Sequence, residues 1–207
     1  MNMLQERILR DGRVLSSQVL KVDSFLNHQV DPELTMAIGE AFAHRFRDEQ
    51  VTKVLTIEAS GIHFAMATAL ALGVPFVYAK KKKAVTLTED LYSVPVHSFT
   101  RQETYQVSVS RQYLSAHDRI LIIDDFLATG AALLGLHEIV QMAGASLAGV
   151  GAVIEKSFQE GRGLLEERGI RVESLARIVS MSPETGISFW QADEQDHHIK
   201  KESHIVC

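Results

Sequence analysis

The sequence predicts an α/β fold, a mainly parallel sheet with helices on both faces. Three observations predict it. The run Ile120-Leu121-Ile122-Ile123 is continuously apolar, as a strand covered on both faces must be, whereas a strand with one wet face would alternate. Strand-length runs such as "VTKVLTIE" and "LAGVGAVIE" are separated by stretches with helical spacing, which is the rhythm of βαβ units. Finally, 207 residues with 46% apolar content suffice for one sizeable core and about one domain.

Residues 31–49, "DPELTMAIGEAFAHRFRDE", read as a helix with Asp31 at the N-cap and Pro32 at the first helical position, where a missing N–H costs nothing. A strand over 51–58 follows, then a helix over 60–73 ended by Gly73, then a short strand, "VPFVYA", over 74–79. From 80 to 104, charged and β-branched residues mix without one clear period, and the stretch reads as a long mobile excursion. Alternation resumes in "YQVSVS" (105–110), then come the strand ending in Asp125, a helix over 131–142 and the strand "LAGVGAVIE" (147–155). A polar turn, a short helix over 161–168 and the strand "RVESLARIVS" (171–180) complete the pattern. Residues 191–207 are polar and aperiodic and read as a disordered tail behind a single domain spanning 1–190.

Composition excludes several classes. The formal net charge of -5 argues against general nucleic-acid or membrane-surface binding. The opening "MNMLQERILRDG" lacks the apolar stretch of a signal peptide, and no run approaches the roughly 20 apolar residues that span a bilayer, so the chain reads as cytoplasmic. A single cysteine, Cys207, allows no internal disulfide and, being last, cannot form a prenylation box. The nine histidines show no metal-ligand spacing apart from "DHH" near the end, and Asn27-His28 reads as a helix-entry pair.

The chemistry gathers at "ILIIDDFLATG". Asp124 and Asp125 end a buried strand, and in open α/β sheets ligands bind beyond that edge. The small residues Ala128, Thr129, Gly130, Ala131 and Ala132 then open a helix, whose first N–H groups are unpaired and whose dipole is positive there, which suits a phosphate. Two carboxylates would repel that phosphate, but they suit the vicinal hydroxyls of a ribose and a nearby magnesium ion, so a ribose 5-phosphate fits both halves. Acidic residues also end strands in plain loops, and a P-loop is excluded because no Gly-Lys-Ser/Thr follows.

The wording of this stretch resembles the phosphoribosyl pyrophosphate (PRPP) signature of the type I phosphoribosyltransferases, although Ala132 stands where Thr or Ser is frequent. Together with "LSSQVLKVDSFLNHQVDP", "TIEASGI", "KKKKAVTLTEDL" and "GAVIEKSFQEGR", it is similar to the xanthine-using branch of that family. The resemblance implies a phosphoribosyltransferase fold with a small amino-terminal segment covering the purine. It implies a pentosyltransferase that joins xanthine to PRPP with magnesium, held mainly by PRPP, and works as a homodimer. Residue by residue, it assigns the ribose to Asp124 and Asp125 and the 5-phosphate to residues 128–132. Ala59, Ser60 and Gly61 fall to the pyrophosphate, with Lys81 on a flexible loop closing over it, and Leu20, Asn27 and Lys156 fall to the purine. His63 and Phe64 depart from the smaller residues of that pattern. Phe126 and Phe158, which otherwise read as core, are placed to stack on a flat base, and the run 80–83 otherwise reads as a solvated surface. A preference for guanine or hypoxanthine, a PRPP-binding regulator without catalysis, and a plain nucleotide-binding or oligomerising module remain as alternatives.

Overall fold

The computed structural model describes residues 2–82, 90–98 and 103–191. The expected tail beyond Gln191, with Cys207, and residues 83–89 and 99–102 of the 80–104 excursion therefore lie outside the described residues. The elements are α1 (Asn2–Asp11), β1 (Arg13–Val14), β2 (Leu20–Lys21), α2 (Pro32–Arg45), β3 (Lys53–Ile57), α3 (Ile62–Leu72), β4 (Phe76–Lys82), β5 (Leu91–Ser98) and β6 (Glu103–Ser110). They continue with β7 (Arg119–Leu127), α4 (Ala131–Met142), β8 (Ser146–Lys156), α5 (Gly161–Glu166), β9 (Val172–Ser182) and β10 (Gly186–Phe189).

Among the described residues, eight strands form one sheet in the order β10-β9-β8-β7-β3-β4-β6-β5. From β9 to β4 the strands run parallel, while β10, β6 and β5 pair antiparallel at the two ends. Alternation within each parallel strand divides the core. Val54, Leu121, Ile123, Val153 and Leu175 join α1, α2 and α3 on one face. Leu55, Ile120, Ile122, Val150 and Ala152 join α4, α5 and the β5–β6 arm on the other. With both faces covered, Ile120 to Ile123 are all fully buried, as the continuous apolar run required. The Asp31 carboxylate accepts from Leu34 N–H at 3.1 Å, so the expected cap is in place at α2.

Three expectations are corrected. Residues 91–98 of the 80–104 stretch form a strand that pairs antiparallel with β6, and Val94 and Val96 of the one and Val107 and Val109 of the other are buried. Pro95 obscures the pattern because a proline argues against a central strand, but β5 lies at the sheet edge, where a missing donor is tolerated. The lysine run is not a loop from its start, since β4 extends to Lys82 and pairs Lys81 with Val107. Asn27-His28 does not enter a helix: residues Asp23–Asn27 form one π-helical turn, closed by His28 N–H donating to the Asp23 carbonyl at 3.1 Å. Helix α1 and strand β10 also went unforeseen; α1 anchors itself with Leu4 and Ile8, one turn apart and fully buried.

Candidate active site

The sheet turns both ways from β3. The chain leaves β3 through α3 to β4 on one flank, and later enters β7 on the other flank before moving through α4 to β8 and β9. The loops following β3 and β7 therefore diverge, and the crevice between them is the natural ligand site of such a sheet.

The acidic pair sits at this split. Asp124 is only 6% exposed, deeper than two carboxylates simply facing the ligand edge, and its Oδ1 accepts from Asp125 N–H at 3.0 Å. Burial, reinforced by the charge of Asp125, pushes the Asp124 carboxyl well above the ordinary carboxylate range, while the ammonium of Lys81 pulls the other way. Asp125 is half-buried, and Asn27 Nδ2 donates to its Oδ2 at 3.1 Å. The loop after β3 presses against the pair: a Cβ at Gly61 would collide with Thr56 Oγ1 and stand 3.0 Å from Asp124 Oδ1, so only glycine fits. Glu58 ties that loop to β4 by accepting from Lys81 N–H at 2.6 Å, and the Lys81 ammonium lies 5.4 Å from the centre of the Tyr105 ring. His63 opens α3 beside Asp125; burial lowers its pKa, and the nearby Asp125 charge opposes the shift.

Beyond β7 the chain turns through Gly130, at φ 80°, into α4, whose start carries no side-chain cap. Gly130 lies against the next loop, since its Cβ would stand 3.0 Å from Gly161 Cα, and Gly161 N–H donates to the Ala128 carbonyl at 3.0 Å. The first-turn N–H groups of α4 are thus held in place with no helix carbonyl to bond, which is the arrangement that receives an anion. Crystals grown in sulfate are expected to show an anion bonded to the N–H groups of residues 129–132; an empty loop at high sulfate, checked by anomalous scattering, would sink this assignment.

A cavity of about 880 Å³ opens between this loop and the end of β8. It brings together Leu20, Phe126, Ala128, Thr129, Gly130, Ala131, Ala132, Lys156 and Phe158 from the sequence-based set. Asn27, Asp124, Asp125, Ala59, Ser60, Gly61 and Lys81 are not among its lining residues; Asn27 is instead the partner of Asp125. Lys156 Nζ lies 5.4 Å from the Phe126 ring centre and donates to the Gln18 carbonyl at 2.6 Å, and burial lowers its pKa. Phe158 is 36% exposed, so it is not a core residue.

Sequence reasoning missed the support beneath this wall. Glu155, 1% exposed, accepts from Arg162 Nη2 at 2.6 Å and Nε at 2.9 Å, from Ser157 Oγ at 2.6 Å and from Arg177 Nε at 3.3 Å. Burial alone would raise its pKa, but the bonds from Arg162, Ser157 and Ser174 outweigh burial and bring it down to about 2. An acid as the last buried residue of an apolar strand, "GAVIEKS", was the available signal.

A parallel sheet that splits at β3, with carboxylates and an uncapped helix start at the split, is the build of a domain that handles phosphorylated ribose. The chain matches the phosphoribosyl transferase domain over residues 27–168, well over half its length, and it belongs to that family. It is 77% identical over 189 residues to the xanthine phosphoribosyltransferase of Brevibacillus brevis, covering 91% of this chain and 96% of that one. It is 54% identical over 193 residues to the enzyme of the same name from Bacillus cereus, covering 93% and 98%. Among solved structures, the adenine phosphoribosyltransferase of Giardia lamblia complexed with 9-deazaadenine superposes with a TM-score of 0.70 over 84% of this chain and 97% of that one. At 22% identity that likeness concerns the fold alone.

Proposed function

We propose that the protein is a xanthine phosphoribosyltransferase, a pentosyltransferase that converts xanthine and PRPP to xanthosine 5'-phosphate and pyrophosphate in purine salvage, with residues 1–190 as its single domain. The observation that carries the reading is one cavity bounded at one end by the helix-start loop 128–132 and at the other by Phe126 and Lys156. One end suits a phosphate and the other a flat base. The relatives named above supply the identity of that base.

In this reading the backbone N–H groups of residues 129–132 and the Thr129 hydroxyl hold the 5-phosphate, with Ala132 contributing backbone only. Asp124 and Asp125 accept from the ribose hydroxyls, and Asn27 restrains Asp125. Ala59, Ser60 and Gly61, with Lys81, meet the pyrophosphate. As the bond from the anomeric carbon to pyrophosphate lengthens, positive charge grows on the ribose ring, and the two carboxylates oppose it. N9 of xanthine then captures the carbon from the opposite face, so no side-chain nucleophile is needed. Phe126 and Phe158 flank the base, and Leu20 closes over it.

Magnesium fits as a companion of PRPP. Among the described residues no three His, Cys, Asp or Glu side chains converge as they would around a caged ion, while Asp124 and Asp125 offer carboxylate oxygens beside the ribose site. When bound with PRPP it neutralises charge on the leaving pyrophosphate. No helix among the described residues is long and apolar enough to cross a membrane. Cytoplasmic location and a homodimer complete the proposal.

Lys156 gives the reading its test. An ammonium has three donors and no acceptor; with one on Gln18 O, two remain for the oxo group at position 6 of xanthine, guanine or hypoxanthine. Adenine presents a donor amine there, and leaving a buried polar group unpaired costs ~1–3 kcal/mol, so adenine is expected to trail by about tenfold to a hundredfold. Xanthine also loses a proton near neutral pH, and its anion would restore the charge of an ammonium that burial disfavours. Catalytic efficiency should therefore rank xanthine first for the native protein, and Lys156→Met should flatten the ranking. A native enzyme equally active on adenine, or a variant with the native ranking, overturns the assignment.

A further inference from the structure

The amino-terminal hairpin reaches the cavity through its tip. Leu15 N–H bonds the Val19 carbonyl at 2.9 Å, and Ser16 Oγ accepts from Gln18 N–H and Val19 N–H, so the turn is internally ordered. It is nevertheless exposed: Leu15 and Val19 are 58% and 43% exposed, and β1 and β2 are two residues each. Such a short ribbon has little stability of its own. Two hydrogen bonds tie its tip to the end of β8 and the loop that follows it. Lys156 Nζ donates to Gln18 O at 2.6 Å, and Gln159 Nε2 donates to Gln18 Oε1 at 2.8 Å. Gln18, Lys156 and Gln159 all line the cavity.

We propose that Gln18 and Gln159 are a positioning pair that latches the hairpin over the base and orients the Lys156 ammonium through the Gln18 carbonyl. The inference rests on the reading of the cavity as a purine site and extends it to residues outside the binding set. An ammonium on a four-carbon stem points nowhere in particular until one of its donors is fixed. The Gln18 carbonyl fixes that donor. The carbonyl in turn belongs to an exposed turn, and the amide pair with Gln159 is what keeps it still. Without the pair, Lys156 would be asked both to close the hairpin and to read the base. The base would then bind a wall that moves.

The test is steady-state kinetics on the full chain with Gln159→Leu and Gln159→Glu. Leucine keeps the bulk and removes the bond. Glutamate still accepts from the Gln18 amide once that amide turns over. For Gln159→Leu the KM for xanthine is expected to rise about three- to tenfold, the worth of one neutral hydrogen bond. The preference for xanthine over adenine should narrow with it, while the KM for PRPP and the melting temperature stay at native values. Gln159→Glu should recover most of both losses. A merely structural role would lower the melting temperature or raise both KM values together. A native KM for xanthine in Gln159→Leu, a parallel rise in the PRPP value, or a glutamate variant as impaired as the leucine one overturns the latch while leaving the function standing. A native protein that converts none of the four purines overturns both.

Discussion

Replacing Asp124 and Asp125 together by Asn is expected to cut phosphoribosyl transfer by about a hundredfold to a thousandfold, the usual cost of removing charge aimed at a transition state. The same change should leave the unliganded protein at least as stable as the native one. The two effects have one origin. The folded Asp124 carboxyl binds its proton more tightly than the unfolded chain does, because it is buried beside Asp125. A group with a raised folded pKa costs stability as pH rises above its unfolded value, so the neutral amide removes a penalty that is in force at pH 7. The amide oxygen can still accept from the N–H of residue 125, so local geometry survives. Paired thermal melts and turnover assays decide the matter. A double variant that turns over normally would dismiss the ribose assignment, and one that melts well below the native protein would show that the carboxylates support the fold.

Glu155 should behave in the opposite way. Glu155→Gln removes the charge that pairs with Arg162, which is itself only 19% exposed, and leaves that guanidinium without its carboxylate. Breaking a buried pair from one side costs about 3–5 kcal/mol, which for a domain of this size lowers the melting temperature by roughly 10 °C. The pH dependence carries the same signature. The folded pKa, about 2, lies below the ordinary 4.5, so the pair contributes stability on the order of 3 kcal/mol that is complete above about pH 5 and lost as pH falls toward 2. Urea unfolding of the native and variant proteins at pH 7 and pH 3 measures it: the two curves should differ widely at pH 7 and approach each other at pH 3. A constant gap would mean that the Glu155 carboxylate is not what the network stabilises. Because Ser157 and Arg162 bond the same carboxylate, the loop carrying Lys156 and Phe158 should loosen as well, raising the KM for xanthine.

What was legible in the sequence was whatever one residue type dictates locally. The four apolar residues before Asp124 had to be buried on both faces, Asp31-Pro32 had to begin a helix, and Gly130 had to turn the chain into α4, which it does at a positive φ. What was not legible depended on partners far away in the chain. The β5–β6 arm satisfies its alternation only once β6 pairs with β4, and Pro95 hid the period. Lys156 could be singled out by resemblance, but its bond to a carbonyl of the amino-terminal hairpin could not, since no local pattern foretells a contact across that separation. Asn27 illustrates the same limit. The resemblance assigns it to the purine, but its hydrogen bond to Asp125 is a contact that only the fold brings about.

The burial of α1 has a consequence for how the chain is made. Leu4 and Ile8 leave the ribosome well before Leu175, Ile178 and Met181 of β9, with which they share a core. At synthesis rates of about 5–20 residues per second, the roughly 170 intervening residues take on the order of 10–30 s to appear. For that interval the nascent helix lacks the β9 side chains that complete the core around Leu4 and Ile8. Newly made chains are therefore more exposed to chaperones, proteases and one another before β9 emerges, and α1 completes its packing only after that strand is in place.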